Sequence, residues 1–137
     1  MQAALAAAPA GDEAALAREL RRLRARTLLT LVHRDLSGEA SLEEVVRTVS
    51  DLAETGVAFA ADHAERSLAE THGAPAGGER ILVVGMGKLG GRELNVSSDV
   101  DLVFLHASEG ETGGPRAISH HEYFTRAGRK LIGLLAD

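Results

Sequence analysis

The chain has 137 residues, a formal charge of −5, no cysteine, and 45% hydrophobic but only 3% aromatic residues. That is one domain's worth of polypeptide, or a small helical unit attached to part of another, with a core to be built from Leu, Val, Ala and Ile. Disulfides and thiolate metal sites are excluded, no apolar run approaches the ~20 residues that span a bilayer, and the negative charge argues against nucleic-acid binding.

In chain order, residues 1–11 read as a disordered tail of small side chains with Pro9 and Gly11. Met1–Ala10 lacks the basic and strongly apolar regions of a signal peptide, so a cytoplasmic location is expected. A helix is expected from Asp12, a fair N-cap, with Leu16, Leu20, Leu23, Thr27 and Leu31 along one face and Gly38 closing the element. A second helix opens on a capping box, Ser41 with Glu44, and carries the stripe Leu42, Val45, Val49, Leu52, Gly56, Phe59 and His63 to about Ala69. The two form an antiparallel hairpin over 12–72. Charge is uneven along them: Arg18, Arg21, Arg22, Arg24, Arg26 and Arg34 crowd the first helix, and acids dominate from Glu39 to Glu70. Such a run is either a solvated helix face or a surface that meets an acidic partner.

The breaker-rich stretch 73–79 reads as a linker to a second region, 80–137. There, Ile81-Leu82-Val83-Val84 reads as a buried strand and Asp101-Leu102-Val103-Phe104-Leu105 as another. Between them come a glycine turn and a short helix around Arg92–Asn95. A loop follows over 108–115. A second capping box, Ser119 with Glu122, opens a last helix that turns Tyr123, Phe124, Ala127, Leu131, Leu134 and Leu135 inward.

Three readings compete for the segment from Gly85 to Phe104. Gly85, Gly87 and Gly90 match the glycine spacing of a dinucleotide fold, but no crossover helix follows and Asp99 stands too close, at the wrong end of its strand. Gly87-Lys88 resembles the end of a P-loop, but Leu89 stands where a hydroxyl should bind magnesium. A nucleotidyltransferase site asks for what is present. Asp99 and Asp101, one residue apart on a strand, share a face and suit the hard divalent ions that serve an in-line displacement at phosphorus. Val100, Leu102 and Phe104 point the other way. Upstream, the glycines let backbone amides approach a phosphate, the short helix offers its N-terminus to the anion, and Lys88 adds charge.

The run Gly87-Lys88-Leu89-Gly90-Gly91-Arg92-Glu93-Leu94, followed by Ser97-Ser98-Asp99-Val100-Asp101-Leu102, resembles the signature of the bifunctional glutamine-synthetase adenylyltransferase/adenylyl-removing enzymes. The resemblance implies an α+β fold: a helical hairpin, then the first half of a nucleotidyltransferase core with a short mixed sheet flanked by helices. It implies Asp99 and Asp101 as catalytic and Mg²⁺-binding residues in a two-metal site, and Gly87, Lys88, Gly90, Gly91 and Ser98 as nucleotide- and phosphate-binding residues. Two homologous halves make up such enzymes. One removes AMP from a tyrosine of glutamine synthetase by phosphorolysis, releasing ADP; the other attaches AMP from ATP. Glutamine and a PII signalling protein are the implied regulators. Asn95 and the run Tyr123-Phe124-Thr125-Arg126-Ala127-Gly128 look more like the removing half, as do the upstream Arg18-Glu19-Leu20-Arg21 and Leu52-Ala53-Glu54-Thr55. The attaching half, or a non-catalytic binding fragment, are the alternatives. The third carboxylate of such sites is expected beyond Asp137, so the chain reads as a fragment.

Overall fold

Helix α1 runs Glu13–Leu36 because its N-terminus is capped: the Asp12 carboxylate accepts from the Ala15 amide at 2.8 Å. Ser37 ends it and Gly38 follows with a left-handed backbone, φ +71°. Helix α2 is longer than expected, Leu42–His72. At its start the Glu44 amide donates to the Ser41 hydroxyl at 3.1 Å, but the Glu44 carboxylate does not return to Ser41; Arg34 takes it. The second expected box is likewise half formed. Ser119 accepts from the Glu122 amide at 3.2 Å, while the Glu122 carboxylate pairs with Arg126, one turn on. In both cases an arginine offers a charged donor that outcompetes a neutral amide.

The computed structural model describes residues 12–136; the tail expected over 1–11 lies outside the described residues. After α2 come a 3-10 turn (Ala76–Gly78), strand β1 (Leu82–Gly85), a single-turn helix α3 (Gly87–Gly90), strand β2 (Leu102–Leu105) and helix α4 (His120–Leu135). The architecture is α+β, with one two-stranded sheet among the described residues. The sheet is antiparallel rather than mixed. The Met86 amide at the end of β1 donates to the Asp101 carbonyl at the start of β2, 2.9 Å away. The connection carries only one helical turn, too little for the crossover that a parallel pair requires. The short helix also falls earlier than its expected place at 92–95, where the chain instead turns and extends.

The chain divides into two compact units, whose boundaries cut across the order hairpin, linker, core. One unit comprises residues to Gly56 together with Gly85–Leu102. Its core joins Leu31 of α1, Val45 and Val49 of α2, Leu89 of α3, and Leu94, with Leu28, Ala40, Ala53 and Leu102 packed around them. Each such side chain, fully buried, contributes roughly 1.5–3 kcal/mol of transfer free energy. Leu42, expected in the buried stripe, is 77% exposed, because it opens the first turn of α2.

The other unit comprises Val57–Val84 and Val103–Ala136. Here α4 buries Tyr123, Phe124, Ala127, Leu131 and Leu134, and α2 contributes Ala60, Ala61 and Ala64. Glu65, 8% exposed, ties the chain before β1 to α2: its carboxylate accepts from the Ile81 amide at 2.8 Å and from the Arg80 guanidinium at 2.8 and 3.0 Å. The Tyr123 hydroxyl donates to the Glu65 carbonyl at 2.8 Å. Strand residues Leu82 and Val84 are 52% and 41% exposed, so β1 is covered on one face only. A sheet with helices on one side leaves alternate side chains uncovered.

Candidate active site

The glycine turn and the carboxylates lie in the first unit and are joined at two points. The first is the Met86 amide on the Asp101 carbonyl. The second is Lys88, whose ammonium lies 3.5 Å from the Ser98 hydroxyl, next to Asp99 in the chain. The segment that leads from Gly87 to Asp101 is therefore a closed excursion, pinned at its base by these two contacts, with Asp99 next to Ser98 in the chain.

Gly87 and Gly90 serve the turn for different reasons. Gly87 has φ +53° and open space where a Cβ would stand, so its glycine is demanded by the backbone. Gly90 has an ordinary backbone, but a Cβ there would sit 2.7 Å from the Gly85 carbonyl oxygen. Its smallness lets α3 fold back onto the end of β1. Leu89 is 6% exposed in the core and fixes the depth of the turn, leaving Lys88 outside. With only four residues, α3 sums little macrodipole, so the anion-attracting helix N-terminus expected downstream is absent from the turn.

Beyond Gly91 the chain is stapled to α2. Arg92 has a left-handed backbone, φ +56°, and its guanidinium pairs with Asp51 and, at 3.0 Å, with Glu54. Two residues on, the Leu94 amide donates to the Ser50 hydroxyl at 3.3 Å, and that hydroxyl donates to the Val46 carbonyl at 2.8 Å. Ser50 is fully buried, so this pairing spares the Leu94 amide an unsatisfied burial. Asn95 then organises the approach to the carboxylates. Its side-chain oxygen accepts from the Ser97 amide and the Ser97 hydroxyl at 3.0 Å each, and from the Ser98 hydroxyl at 2.9 Å. The Ser98 hydroxyl in turn accepts from the Asn95 amide at 3.1 Å. This Asx-type turn sets where Asp99 starts.

Asp99 and Asp101 are exposed and precede β2 rather than lying inside it. Val100, expected to anchor the strand from its other side, is itself 41% exposed, since strand pairing begins only at Leu102. The two carboxylates are hard oxygen donors open to solvent, the set that Mg²⁺ accepts when phosphate oxygens and waters complete its shell. Among the described residues, no group of three or more acids or histidines is gathered to hold a metal.

Sequence spacing brought out the glycines, Lys88 and the carboxylates, and the family resemblance added Ser98. It missed Arg92, Ser50, Asp51 and Glu54. The one available signal was Ser50, a hydroxyl beside Val49 on the stripe of α2 that faces the core.

The family model described as glutamate-ammonia ligase adenylyltransferase matches residues 1–137. Curated relatives named bifunctional glutamine synthetase adenylyltransferase/adenylyl-removing enzyme are similar along most of the chain. That of Ralstonia nicotianae is 54% identical over 137 residues, covering 96% of this chain and 14% of the relative. That of Thioalkalivibrio sulfidiphilus is 49% identical over 132 residues, covering 93% and 14%. That of Chromobacterium violaceum is 53% identical over 128 residues, covering 90% and 14%. The chain thus spans about 14% of the length of the curated relatives it matches. The chain belongs to the glutamate-ammonia ligase adenylyltransferase family.

Proposed function

We propose that this chain carries the nucleotide- and metal-binding part of a nucleotidyltransferase that controls glutamine synthetase, acting in the deadenylylating direction. The observation that carries the reading is the closure of the glycine turn on the carboxylates, through Met86 to Asp101 and Lys88 to Ser98. Phosphoryl chemistry needs cationic and backbone donors on one side of a phosphate and hard acids on another; the turn supplies both within one short segment.

In this reading Asp99 and Asp101 hold Mg²⁺, which supplies charge neutralisation at the reacting phosphorus. Lys88 binds the phosphate chain, Ser98 orients Lys88, and Gly87 and Gly91 let the backbone approach. Gly90 lies behind the turn and keeps it close to β1. In the reaction, an oxygen of inorganic phosphate attacks the phosphorus of the AMP group on tyrosine. The bond from phosphorus to the tyrosine oxygen breaks, the phenolate takes up the proton that phosphate gives up, and ADP leaves. The deadenylylating direction rests on Asn95 and the run Tyr123–Gly128, which resemble the removing half. Glutamine and a PII signalling protein enter as effectors of the complete enzyme, and ATP as the AMP donor of its attaching half.

A chimera tests this directly: the Ralstonia nicotianae relative with its matching segment replaced by this chain. It is expected to release ADP from adenylylated glutamine synthetase when phosphate and Mg²⁺ are present. Asp101→Asn in the grafted segment should lower that rate by at least a hundredfold while the melting temperature holds. An unchanged rate would sink the assignment.

A further inference from the structure

One feature of α1 plays no part in this site. Arg18, Arg22, Ala25, Leu29, Val32 and Leu36 follow one another at steps of four, three, four, three and four, and all are exposed. Leu29 is 72% exposed, Val32 37% and Leu36 83%. The residues of α1 that are buried, Leu16, Leu20 and Leu31 among them, lie on a different stripe. Alternating steps of four and three keep these six residues on one face of the helix, the arrangement that a second helix packs against. Large apolar side chains on a surface at that spacing mark a contact rather than scattered exposure.

We propose that this outward seam of α1 docks an amphipathic helix whose contact residues are acidic opposite Arg18 and Arg22 and apolar opposite Leu29, Val32 and Leu36. The order of the two blocks selects the occupant. Arg21 and Arg26 flank the basic end, which stays net positive although Arg22, its side chain 70% exposed, pairs with Glu19 at 3.1 Å. A second copy of α1 fits poorly: parallel pairing sets arginine against arginine, and antiparallel pairing sets arginine against leucine. A lipid surface fits poorly as well. An interfacial helix carries its apolar stripe from end to end with basic residues along the sides, whereas here the basic and apolar blocks follow in series. An acidic-then-apolar helix satisfies both halves at once, with charge setting its register.

The test uses the 137-residue chain and a synthetic helical peptide of matching length, glutamate at the contact positions of one half and leucine at those of the other. A peptide with lysine in place of glutamate is its control. Calorimetry should give one-to-one binding of the glutamate peptide, weakened at least tenfold by raising salt from 50 to 300 mM. Leu29→Gln together with Leu36→Gln should lower affinity at least tenfold. Arg18→Glu with Arg22→Glu should transfer binding to the lysine peptide. All four positions are solvent-exposed, and circular dichroism with an unchanged melting temperature verifies that each variant folds. The proposal is overturned if neither peptide binds, if binding ignores both sets of substitutions, or if light scattering shows a dimer that Leu29→Gln dissolves. Co-flotation with phosphatidylserine vesicles that Leu36→Gln abolishes would assign the seam to a membrane instead. None of these readouts depends on the adenylyl chemistry.

Discussion

Arg92 holds a left-handed backbone while its guanidinium pairs with Asp51, 41 residues earlier in the chain. A non-glycine residue in that region costs roughly 1–2 kcal/mol, and an exposed ion pair returns at most about 1 kcal/mol. Arg92 is 51% exposed as a side chain and Asp51 43%, so the pair does not repay the strain by itself. Its effect is to fix where the glycine turn ends, together with Leu94 on Ser50. Arg92→Gly removes the pair and relaxes the backbone, so stability should change by less than about 1 kcal/mol. Arg92→Ala removes the pair and keeps the strain, and should be less stable than Arg92→Gly by about 1 kcal/mol. Urea denaturation of the two variants checks the order; equal midpoints would mean that the turn relaxes without help from either.

The two turn glycines should respond differently to the same added methyl. Gly87→Ala meets no atom within 4 Å and is penalised only through its φ of +53°, about 1 kcal/mol. Gly90→Ala drives a Cβ to 2.7 Å from the Gly85 carbonyl oxygen, so backbone must move, at about 1–3 kcal/mol. Thermal melts should therefore rank Gly90→Ala below Gly87→Ala. The reverse order would mean that β1 and α3 separate easily.

Metal affinity tests the two carboxylates by themselves, since no third acid or histidine is gathered with them among the described residues. Asp99 and Asp101 alone should bind Mg²⁺ weakly, because two neighbouring carboxylates repel each other when no further ligand holds the ion. Calorimetry should find only weak Mg²⁺ binding, and Asp101→Asn should abolish it. The 137-residue chain, given adenylylated glutamine synthetase and phosphate, should release no ADP above background. Release above background that disappears on Asp99→Ala would show that these two carboxylates suffice.

Tyr123 gives a pH signature. Burial, and secondarily the Glu65 carboxylate, pushes its phenol from 10.0 up to about 12. A pKa raised in the fold contributes stability that is fully present below pH 10 and is lost as pH rises towards 12. The melting temperature should therefore fall over that window, and by less in Tyr123→Phe. That variant gives up the hydrogen bond to the Glu65 carbonyl and should cost about 1 kcal/mol at neutral pH. Absorbance of the native chain at pH 11 should show Tyr123, its one tyrosine, still protonated.

Local chemistry is what the sequence by itself determined. The caps at Asp12, Ser41 and Ser119, the helical period of Leu16, Leu20 and Leu31, and the β-branched run before Gly85 each depend on neighbours within a turn or two. The residue types proposed to hold phosphate and a hard cation lie within one local run as well, from Gly87 to Asp101. Tertiary structure alone decided the rest. It moved the short helix onto Gly87–Gly90, because burying Leu89 in the core outweighs the poor helix propensity of two glycines. The strands run antiparallel and Asp101 stands ahead of β2 because the Met86 amide finds its partner there. Arg92 meets Asp51 and Glu54, and the buried Leu94 amide meets Ser50, because α2 presents those groups to them. Such contacts join residues some forty positions apart, and no periodicity within either segment encodes which of them will meet.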